Sequence, residues 1–199
     1  MINSQDIKKG TAIRMDGAIW VCIDFQHRKP GKGNTIMNIK MKNVTDGRVL
    51  ERRYNIGEKL EDVVIVSPDK GGLERAKHLS KDLGDLPIAV LNKYRPEPNK
   101  AVITNIKGES VVDKYCLMID DIIDTGGTII AASKELLKNE ARGILICACH
   151  GIFSKNALAK LYRCGILDIA ISDSIPQEED VVSIVSLAPV ISKYIDEHF

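Results

Sequence analysis

The sequence lacks paired cysteines and long apolar runs, and each absence excludes a class of protein. Its five cysteines are an odd number, and they include no Cys-x-x-Cys pair. This argues against a disulfide framework and favours a reducing, cytoplasmic location. Neither a signal peptide nor an apolar run of membrane-spanning length is present. We therefore expect a soluble protein with no membrane partner.

A large excess of charge of one sign is also missing. The net charge is +1 over 199 residues, which excludes a uniformly basic nucleic-acid binder. The two parts of the chain differ, however, because residues 1–62 carry a net charge of +4 and residues 63–199 a net charge of −3. The N-terminal third is therefore suited to meet RNA phosphates, and the rest to bind small ligands through loops and a metal ion.

The first third contains no convincing helix. Its β-like runs occupy residues 12–15, 18–27, 34–44 and 48–54. Turn sequences such as Asp16-Gly17 separate the runs, and this spacing predicts a small antiparallel β-barrel. In the third run, the alternation of side chains predicts that Met37 and Ile39 point inward.

The loop at residues 29–33 has the sequence Lys-Pro-Gly-Lys-Gly. Pro30 fixes one backbone dihedral, and the glycines on both sides of Lys32 permit a tight tip. Lys32 is therefore suited to reaching into a partner's pocket, or to being modified by a partner. The alternative is an ordinary solvated lysine.

Residues 1–62 resemble the N-terminal domain of bacterial elongation factor P. The resemblance rests on Asp24-Phe25-Gln26-His27, on the loop at residues 29–33, on Met41-Lys42-Asn43-Val44 and on Gly57-Glu58-Lys59. It implies that Lys32 is the tip lysine that is extended after translation and points toward the peptidyl-transferase centre. It also implies contact with the ribosome or with tRNA through this domain, and residues 63–199 do not resemble the family's two further β-barrel domains.

From residue 63 the pattern becomes α/β. Residues 115–119 predict a buried strand, and the segment after Gly127 predicts a helix, so the residues between them form a strand-to-helix turn. At a helix N-terminus, the backbone N–H groups of residues 125–128 are suited to bind a phosphate. Asp120 and Asp121 would repel that phosphate, so we expect them to bind sugar hydroxyls or a metal ion. The predicted ligand is a sugar phosphate, and the alternative is a capped helix beside solvated acids.

A second strand, glycine loop and helix follow the same layout at residues 63–66, 67–72 and 73–83. This loop offers a second anion site, so the two loops together fit a ligand with phosphate at both ends. Next come a predicted strand at residues 87–91 and a projecting loop at residues 92–99. Lys93 and Arg95 in that loop are spaced to act on one negative charge during phosphoryl transfer, although a charged surface loop is the alternative.

Three further strands and two helices complete the predicted domain. The strands are predicted at residues 143–149, 167–171 and 181–186. Ser154 is predicted to cap a helix that ends near Gly165, and a terminal helix begins at Pro189. The fold class is therefore α/β, a mostly parallel sheet with helices on both faces, preceded by the small β-barrel. Ligand loops should gather at the carboxyl ends of the strands.

Residues 63–199 resemble the C-terminal half of ribose-phosphate pyrophosphokinase, the synthetase of phosphoribosyl pyrophosphate (PRPP). Within them, Asp120–Thr128 resembles the ribose-phosphate loop that these synthetases share with phosphoribosyltransferases. The resemblance rests on Ser67–Gly72, Asn92–Pro96, Asp120–Thr128 and His150–Ser154. It implies transfer of diphosphate from ATP to ribose 5-phosphate, giving PRPP and AMP, with Mg²⁺ and in a homo-oligomer. That family's N-terminal half supplies adenine contacts and a metal-binding histidine, and nothing in residues 1–62 resembles it.

The resemblance also assigns roles to individual residues. Lys93 and Arg95 would be catalytic, and Asp69 would bind Mg²⁺. The residues that would bind ribose 5-phosphate are Asp120, Asp121, Asp124, Thr125, Gly126, Gly127 and Thr128. The residues that would form the pyrophosphate loop are Ser67, Asp69, Lys70, Gly71 and Gly72.

We predict two domains, at residues 1–62 and 63–199. No flexible linker separates them, because residues 59–62 run directly into a predicted strand. Two other functions stay open at this point. The first is a translation module, which the positive N-terminal region and Lys32 favour. The second is a phosphoribosyltransferase, which would need a base-binding element that the sequence does not reveal.

Overall fold

The computed structural model of the protein describes residues 1–29, 35–97, 100–177 and 181–198, with side chains described outside residues 93–104. The strands are β1 (Ile2–Asn3), β2 (Ala12–Met15), β3 (Ala18–Arg28), β4 (Ile36–Asn43), β5 (Val49–Asn55), β6 (Lys59–Ser67), β7 (Ile88–Glu97), β8 (Lys100–Gly108), β9 (Tyr115–Ile123), β10 (Gly143–Gly151), β11 (Ile166–Ser172) and β12 (Ser183–Val185). The α-helices are α1 (Leu73–Asp82), α2 (Gly127–Lys138), α3 (Ala157–Arg163) and α4 (Ala188–His198). Among the described residues, no helix has the length and apolar character needed to cross a bilayer.

Strands β2 to β5 form an antiparallel arrangement in which each strand pairs with the next. This confirms the antiparallel strands predicted for the first third of the chain. Met37 and Ile39 are both 0% exposed, so the prediction that they point inward is correct. Together with Trp20 and Tyr54 they belong to a separate hydrophobic cluster. We call β1 to β5 the N-terminal region.

Strand β6 belongs to both parts of the molecule. Its first half pairs antiparallel with β2, where Ile13 lies opposite Asp62, and its second half pairs parallel with β9, where Val63 lies opposite Tyr115. Residue 62, the predicted domain boundary, therefore lies inside a continuous strand. Residues 62–67 are all buried, as expected of a strand covered on both faces. The division into two domains stays a prediction.

We call β6 to α4 the α/β region. Its parallel strands lie in the order β12-β11-β10-β9-β6-β7, and β8 pairs antiparallel with β7 at the edge. Alternate residues of β9 enter different clusters: Met118 packs with α2 and α3, whereas Leu117 packs with α1. Helices therefore cover both faces of a mostly parallel sheet, which confirms the predicted fold class.

The prediction of a projecting loop at residues 92–99 is wrong for residues 92–97, which the structure describes as strand. Strand β7 continues to Glu97 instead of ending at Leu91, and it pairs with β8, which the sequence analysis missed. The register of this pair shifts between Asn92 and Lys93, and again between Tyr94 and Glu97. Pro96 lies within the second irregularity, where a residue without a backbone N–H is tolerated in an edge hairpin.

Candidate functional site

Strand β9 ends at Ile123, four residues later than predicted. Asp120 and Asp121 therefore lie near the carboxyl end of the strand, before Ile122 and Ile123, and not in the turn itself, which corrects the prediction. The extension follows from pairing with β10, in which Ile122 lies opposite His150 and Ile123 lies opposite Gly151. As a result, the acidic pair lies at the carboxyl end of β9, just before the loop at residues 124–128.

The loop from Asp124 to Thr128 surrounds a cavity of about 150 Å³ at the start of α2. Gly126 has a φ of 72°, in the left-handed region, and a Cβ there would lie 3.3 Å from the Leu161 side chain. The backbone conformation therefore favours glycine, and the nearby Leu161 leaves little room for a side chain. Thr125 and Gly127 are exposed, so an anion can approach the start of α2.

Arg75 of α1 neutralises part of the acidic pair. Its Nη1 lies 3.2 Å from Asp120 Oδ1, and its Nη2 lies 2.8 Å from Asp121 Oδ2. The side chains of Arg75 and Asp120 are 31% and 20% exposed, so this ion pair is partly shielded from water. Two carboxylates thus share one guanidinium, which leaves a net negative charge at the end of β9.

The two carboxyl groups titrate differently. Burial raises the pKa of Asp120 to about 6, although the backbone N–H of Asp121 and the positive charge of Arg75 both act to lower it. The more exposed Asp121 has a lowered pKa, because hydrogen bonding with Asp120 and the charge of Arg75 outweigh its slight burial. Near neutral pH both groups are mainly ionised and can accept hydrogen bonds from hydroxyls.

The second predicted loop, residues 67–72, is held together by its own side chains. Ser67 is 0% exposed, and its hydroxyl donates to the carbonyl of Asp69 at 2.6 Å. The carboxylate of Asp69 accepts the N–H of Gly72 at 3.1 Å. A Cβ at Gly72 would lie 2.9 Å from Ser67 Oγ, so this position also requires glycine. Lys70 and Gly71 are exposed, and they form the accessible part of the loop.

The segment after β10 contacts the loop after β9. The N–H groups of Ile152 and Phe153 both donate to the carbonyl of Ile123, at 2.8 and 3.0 Å. The hydroxyl of Ser154 donates to Asp124 Oδ1. Ser154 was predicted to cap the next helix, and this is wrong: α3 begins at Ala157 after Asn156, and the Ser154 hydroxyl supports the neighbouring loop instead.

The structure brings together only part of the predicted set. Asp120 and the loop at residues 124–128 line one cavity, Asp121 is joined to Asp120 through Arg75, and Asp124 is supported by Ser154. The backbone of Lys93 pairs with Ile103 in the β7–β8 hairpin, whereas the side chains of Lys93 and Arg95 are outside the described part. Lys32 also lies outside the described residues.

The sequence analysis missed Arg75 and Ser154. Arg75 carried a signal, because it is the third residue of a helix and a cation in the first helical turn is unfavourable unless an anion compensates it. Ser154 gave a misleading signal, because serine before a helical segment usually indicates a cap. Its actual partner, Asp124, is 30 residues away in the chain.

The acidic residues at the site fit Mg²⁺ in the manner usual for phosphate enzymes. Among the residues that the structure describes, no group of three or more acidic, histidine or cysteine side chains forms a cage for a metal ion. Mg²⁺ usually binds through one or two carboxylates together with substrate phosphates, and Asp120 and Asp121 supply two neighbouring carboxylates near the start of α2. The donor set fits a magnesium ion held jointly with a phosphorylated substrate.

Comparisons with known proteins match both parts of the chain. The model of the elongation factor P (EF-P) KOW-like domain matches residues 3–60. The chain is 36% identical over 162 residues to the ribose-phosphate pyrophosphokinase of Caldanaerobacter subterraneus, covering 79% of this chain and 51% of that protein. It is 44% identical over 126 residues to the enzyme of that name from Mycoplasma genitalium, covering 61% and 37%.

A solved structure agrees with the sequence relatives. The phosphoribosylpyrophosphate synthetase from Mycobacterium smegmatis superimposes with a TM-score of 0.59 at 33% identity, covering 68% of this chain and 44% of that chain. This chain thus spans about half the length of the curated relatives it matches, or less. The model of the phosphoribosyl transferase domain matches residues 46–164, which is more than half of the chain. The chain therefore belongs to the phosphoribosyl transferase domain family.

Proposed function

We propose that this chain binds ribose 5-phosphate with Mg²⁺ and carries the ribose-phosphate half of a diphosphokinase. The complete reaction would transfer diphosphate from ATP to the 1-hydroxyl of ribose 5-phosphate, giving PRPP and AMP. The observation that carries the proposal is the accessible loop at residues 124–128, which opens α2 beside the acidic pair Asp120 and Asp121. Its N–H groups suit the 5-phosphate, and the carboxylates suit the ribose hydroxyls.

The loop at residues 67–72 is the proposed site for the diphosphate group. Its exposed Lys70 and Gly71 stand before α1, and Arg75 connects this loop to the acidic pair. Asp69 is the proposed additional Mg²⁺ contact, and Lys93 and Arg95 are the proposed catalytic cations. Mg²⁺ would neutralise charge on the phosphates and orient them. We also propose a cytoplasmic location, which the odd number of cysteines favours, and a homo-oligomer, which the resemblance to ribose-phosphate pyrophosphokinase implies.

A calorimetric titration with ribose 5-phosphate, with and without Mg²⁺, tests binding. We expect saturable binding that Mg²⁺ strengthens, and no saturable binding of ribose, which lacks the phosphate. Incubation with ATP, Mg²⁺ and ribose 5-phosphate then tests turnover. Release of AMP indicates a diphosphokinase, whereas consumption of added PRPP with release of pyrophosphate indicates a phosphoribosyltransferase. If ribose 5-phosphate binds neither with Mg²⁺ nor without it, the proposal is rejected.

The match of residues 3–60 to the EF-P KOW-like domain favours a second function, contact with the ribosome or with tRNA. Exposed cations on neighbouring antiparallel strands support it, among them Lys40, Lys42 and Arg53. Intact mass of protein from a native source should then reveal an adduct on Lys32. An unmodified mass, together with no co-sedimentation with ribosomes, would reject this second function.

A further inference from the structure

Arg75 lies between the loop at residues 67–72 and the acidic end of β9. It is the third residue of α1, and its guanidinium reaches Asp120 Oδ1 at 3.2 Å and Asp121 Oδ2 at 2.8 Å. The same group borders the other loop, because a Cβ placed on Gly72 would lie 3.5 Å from Arg75 Nη1. A single side chain therefore lies beside Gly72 and pairs with the acidic end of β9.

The position of Arg75 is unfavourable without its partners. A cation in the first turn of a helix is opposed by the helix dipole, and α1 begins only two residues earlier, at Leu73. Without Arg75, the neighbouring carboxylates of Asp120 and Asp121 would repel each other and any approaching phosphate. Partial burial of Arg75 and Asp120 makes this mutual compensation stronger than at an exposed surface pair.

Resting on the proposed function, we propose that Arg75 is a positioning residue, which holds Asp120 and Asp121 for the ribose hydroxyls and serves as their counter-ion until Mg²⁺ binds. The planar guanidinium can bridge two carboxylates with separate N–H groups, as it does here, whereas a lysine ammonium acts as a point charge. A Mg²⁺ ion that binds together with the ligand would also compensate the negative charge of Asp120 and Asp121. The affinity for ribose 5-phosphate should therefore depend on Arg75 most strongly when Mg²⁺ is absent.

Calorimetry with ribose 5-phosphate on three variants, with and without Mg²⁺, tests this inference. We expect Arg75→Met to weaken binding about tenfold or more without Mg²⁺, and clearly less with Mg²⁺. Arg75→Lys should be intermediate, because it keeps the charge but not the bridge. Lys77→Met is the matched control: Lys77 is exposed on the same helix and pairs with Glu74, so its removal should leave both affinities unchanged.

The outcomes separate this inference from the proposed function. Wild-type affinity in Arg75→Met under both conditions overturns the inference alone, and so does an equal loss with and without Mg²⁺, which would indicate a purely structural role. Absence of binding by the wild type overturns the proposed function and this inference with it. Circular dichroism checks folding. If Arg75→Met does not fold, Arg75→Lys decides, and wild-type affinity of that variant without Mg²⁺ overturns the inference.

Discussion

The N-terminal region and the α/β region are joined through strand β6 but differ in how their candidate residues are brought together. In the N-terminal region, β2 to β5 pair with their immediate neighbours in sequence, and the candidate Lys32 comes from one short sequence motif at residues 29–33. In the α/β region, the contact of Arg75 with Asp120 spans 45 residues, and the contact of Ser154 with Asp124 spans 30. A site at the ends of parallel strands is assembled from distant residues, because each strand must cross over before the next can pair.

The hydrophobic clusters show how closely the two regions are joined. One cluster lies in the N-terminal region and one in the α/β region. A third contains Ala12 and Val21 of the N-terminal region together with Ile65, Tyr115 and Leu117. Arg14 also lies over the ring of Tyr115, 5.0 Å from its centroid. The two regions therefore share a core across β6, which predicts that they unfold together.

The largest expected effect is that of Ile65→Ala, which tests the shared core. Ile65 is 0% exposed in β6, so its truncation should cost about 2–5 kcal/mol of stability. We expect the fluorescence of Trp20, in the N-terminal region, and the helical circular dichroism signal to shift together during denaturation. Val49→Ala, at a position 50% exposed, should change stability by less than about 0.5 kcal/mol. If the denaturation midpoint of the helical signal shifts in Ile65→Ala and that of Trp20 fluorescence does not, the two regions unfold independently and the prediction is wrong.

The second effect distinguishes the ligand site from the rest of the fold. Asp120→Ala removes a carboxylate from the proposed ribose contact, so affinity for ribose 5-phosphate should fall about 10- to 100-fold, as measured by calorimetry. Asp46→Ala is the control, because Asp46 is an exposed acid of the N-terminal region that pairs with its near neighbour Arg48. Equal affinities in the two variants would contradict the assignment of Asp120.

The third effect is a dependence of ligand binding on pH to which Asp120 of the α/β region should contribute. Because the pKa of Asp120 is raised to about 6, lowering the pH from 7 to 5 protonates this carboxyl and removes its charge. The affinity for ribose 5-phosphate should therefore fall with decreasing pH, by up to about tenfold from this group. The phosphate of the ligand titrates in the same range, at a pKa near 6.

The variant Asp120→Asn provides the control for that titration. In this variant the phosphate of the ligand still titrates, but the side chain at position 120 does not. The affinity of Asp120→Asn for ribose 5-phosphate should therefore change less between pH 7 and pH 5 than that of the wild type. Calorimetry at several pH values gives both curves. If the two curves run parallel, Asp120 does not titrate in the binding reaction.

The smallest expected effect is that of Ser154→Ala, which tests support between loops. Loss of the hydrogen bond to Asp124 should weaken ribose 5-phosphate binding by about 0.5–1.5 kcal/mol. Ser183→Ala removes a comparable hydroxyl-to-carboxylate contact, to Asp168, in the same region. We expect Ser183→Ala to bind as the wild type does. A loss of the same size in both variants would indicate a general effect on the fold.

Local sequence patterns predicted much of the fold. The strand at residues 12–15 was predicted with the observed bounds, and the start of α1 at Leu73 was also correct. Alternation predicted the inward side chains of β4, because a strand with one buried face repeats every two residues. Pairs of adjacent glycines between an apolar run and a helical pattern predicted both strand-to-helix loops. Such a pattern is local, so it can be recognised in the sequence.

The errors lie where pairing between distant segments overrides local preference. Prolines at residues 96 and 98 predicted a loop, whereas pairing with β8 extends β7 to Glu97. Asp120 and Asp121 predicted a turn, whereas pairing with β10 keeps them in β9. In both cases the backbone hydrogen bonds gained from the neighbouring strand outweigh the weak preferences of single residues.

The sequence by itself determined the α/β class, the two glycine loops and the acidic residues of the proposed site. These features depend on residues that are close in the chain, so patterns and spacing reveal them. Only the tertiary structure decided that Arg75 bridges Asp120 and Asp121, that Ser154 supports Asp124, and that β6 joins both regions. The physical reason is that charge compensation and strand pairing depend on distances in space, and the folded sheet sets those distances.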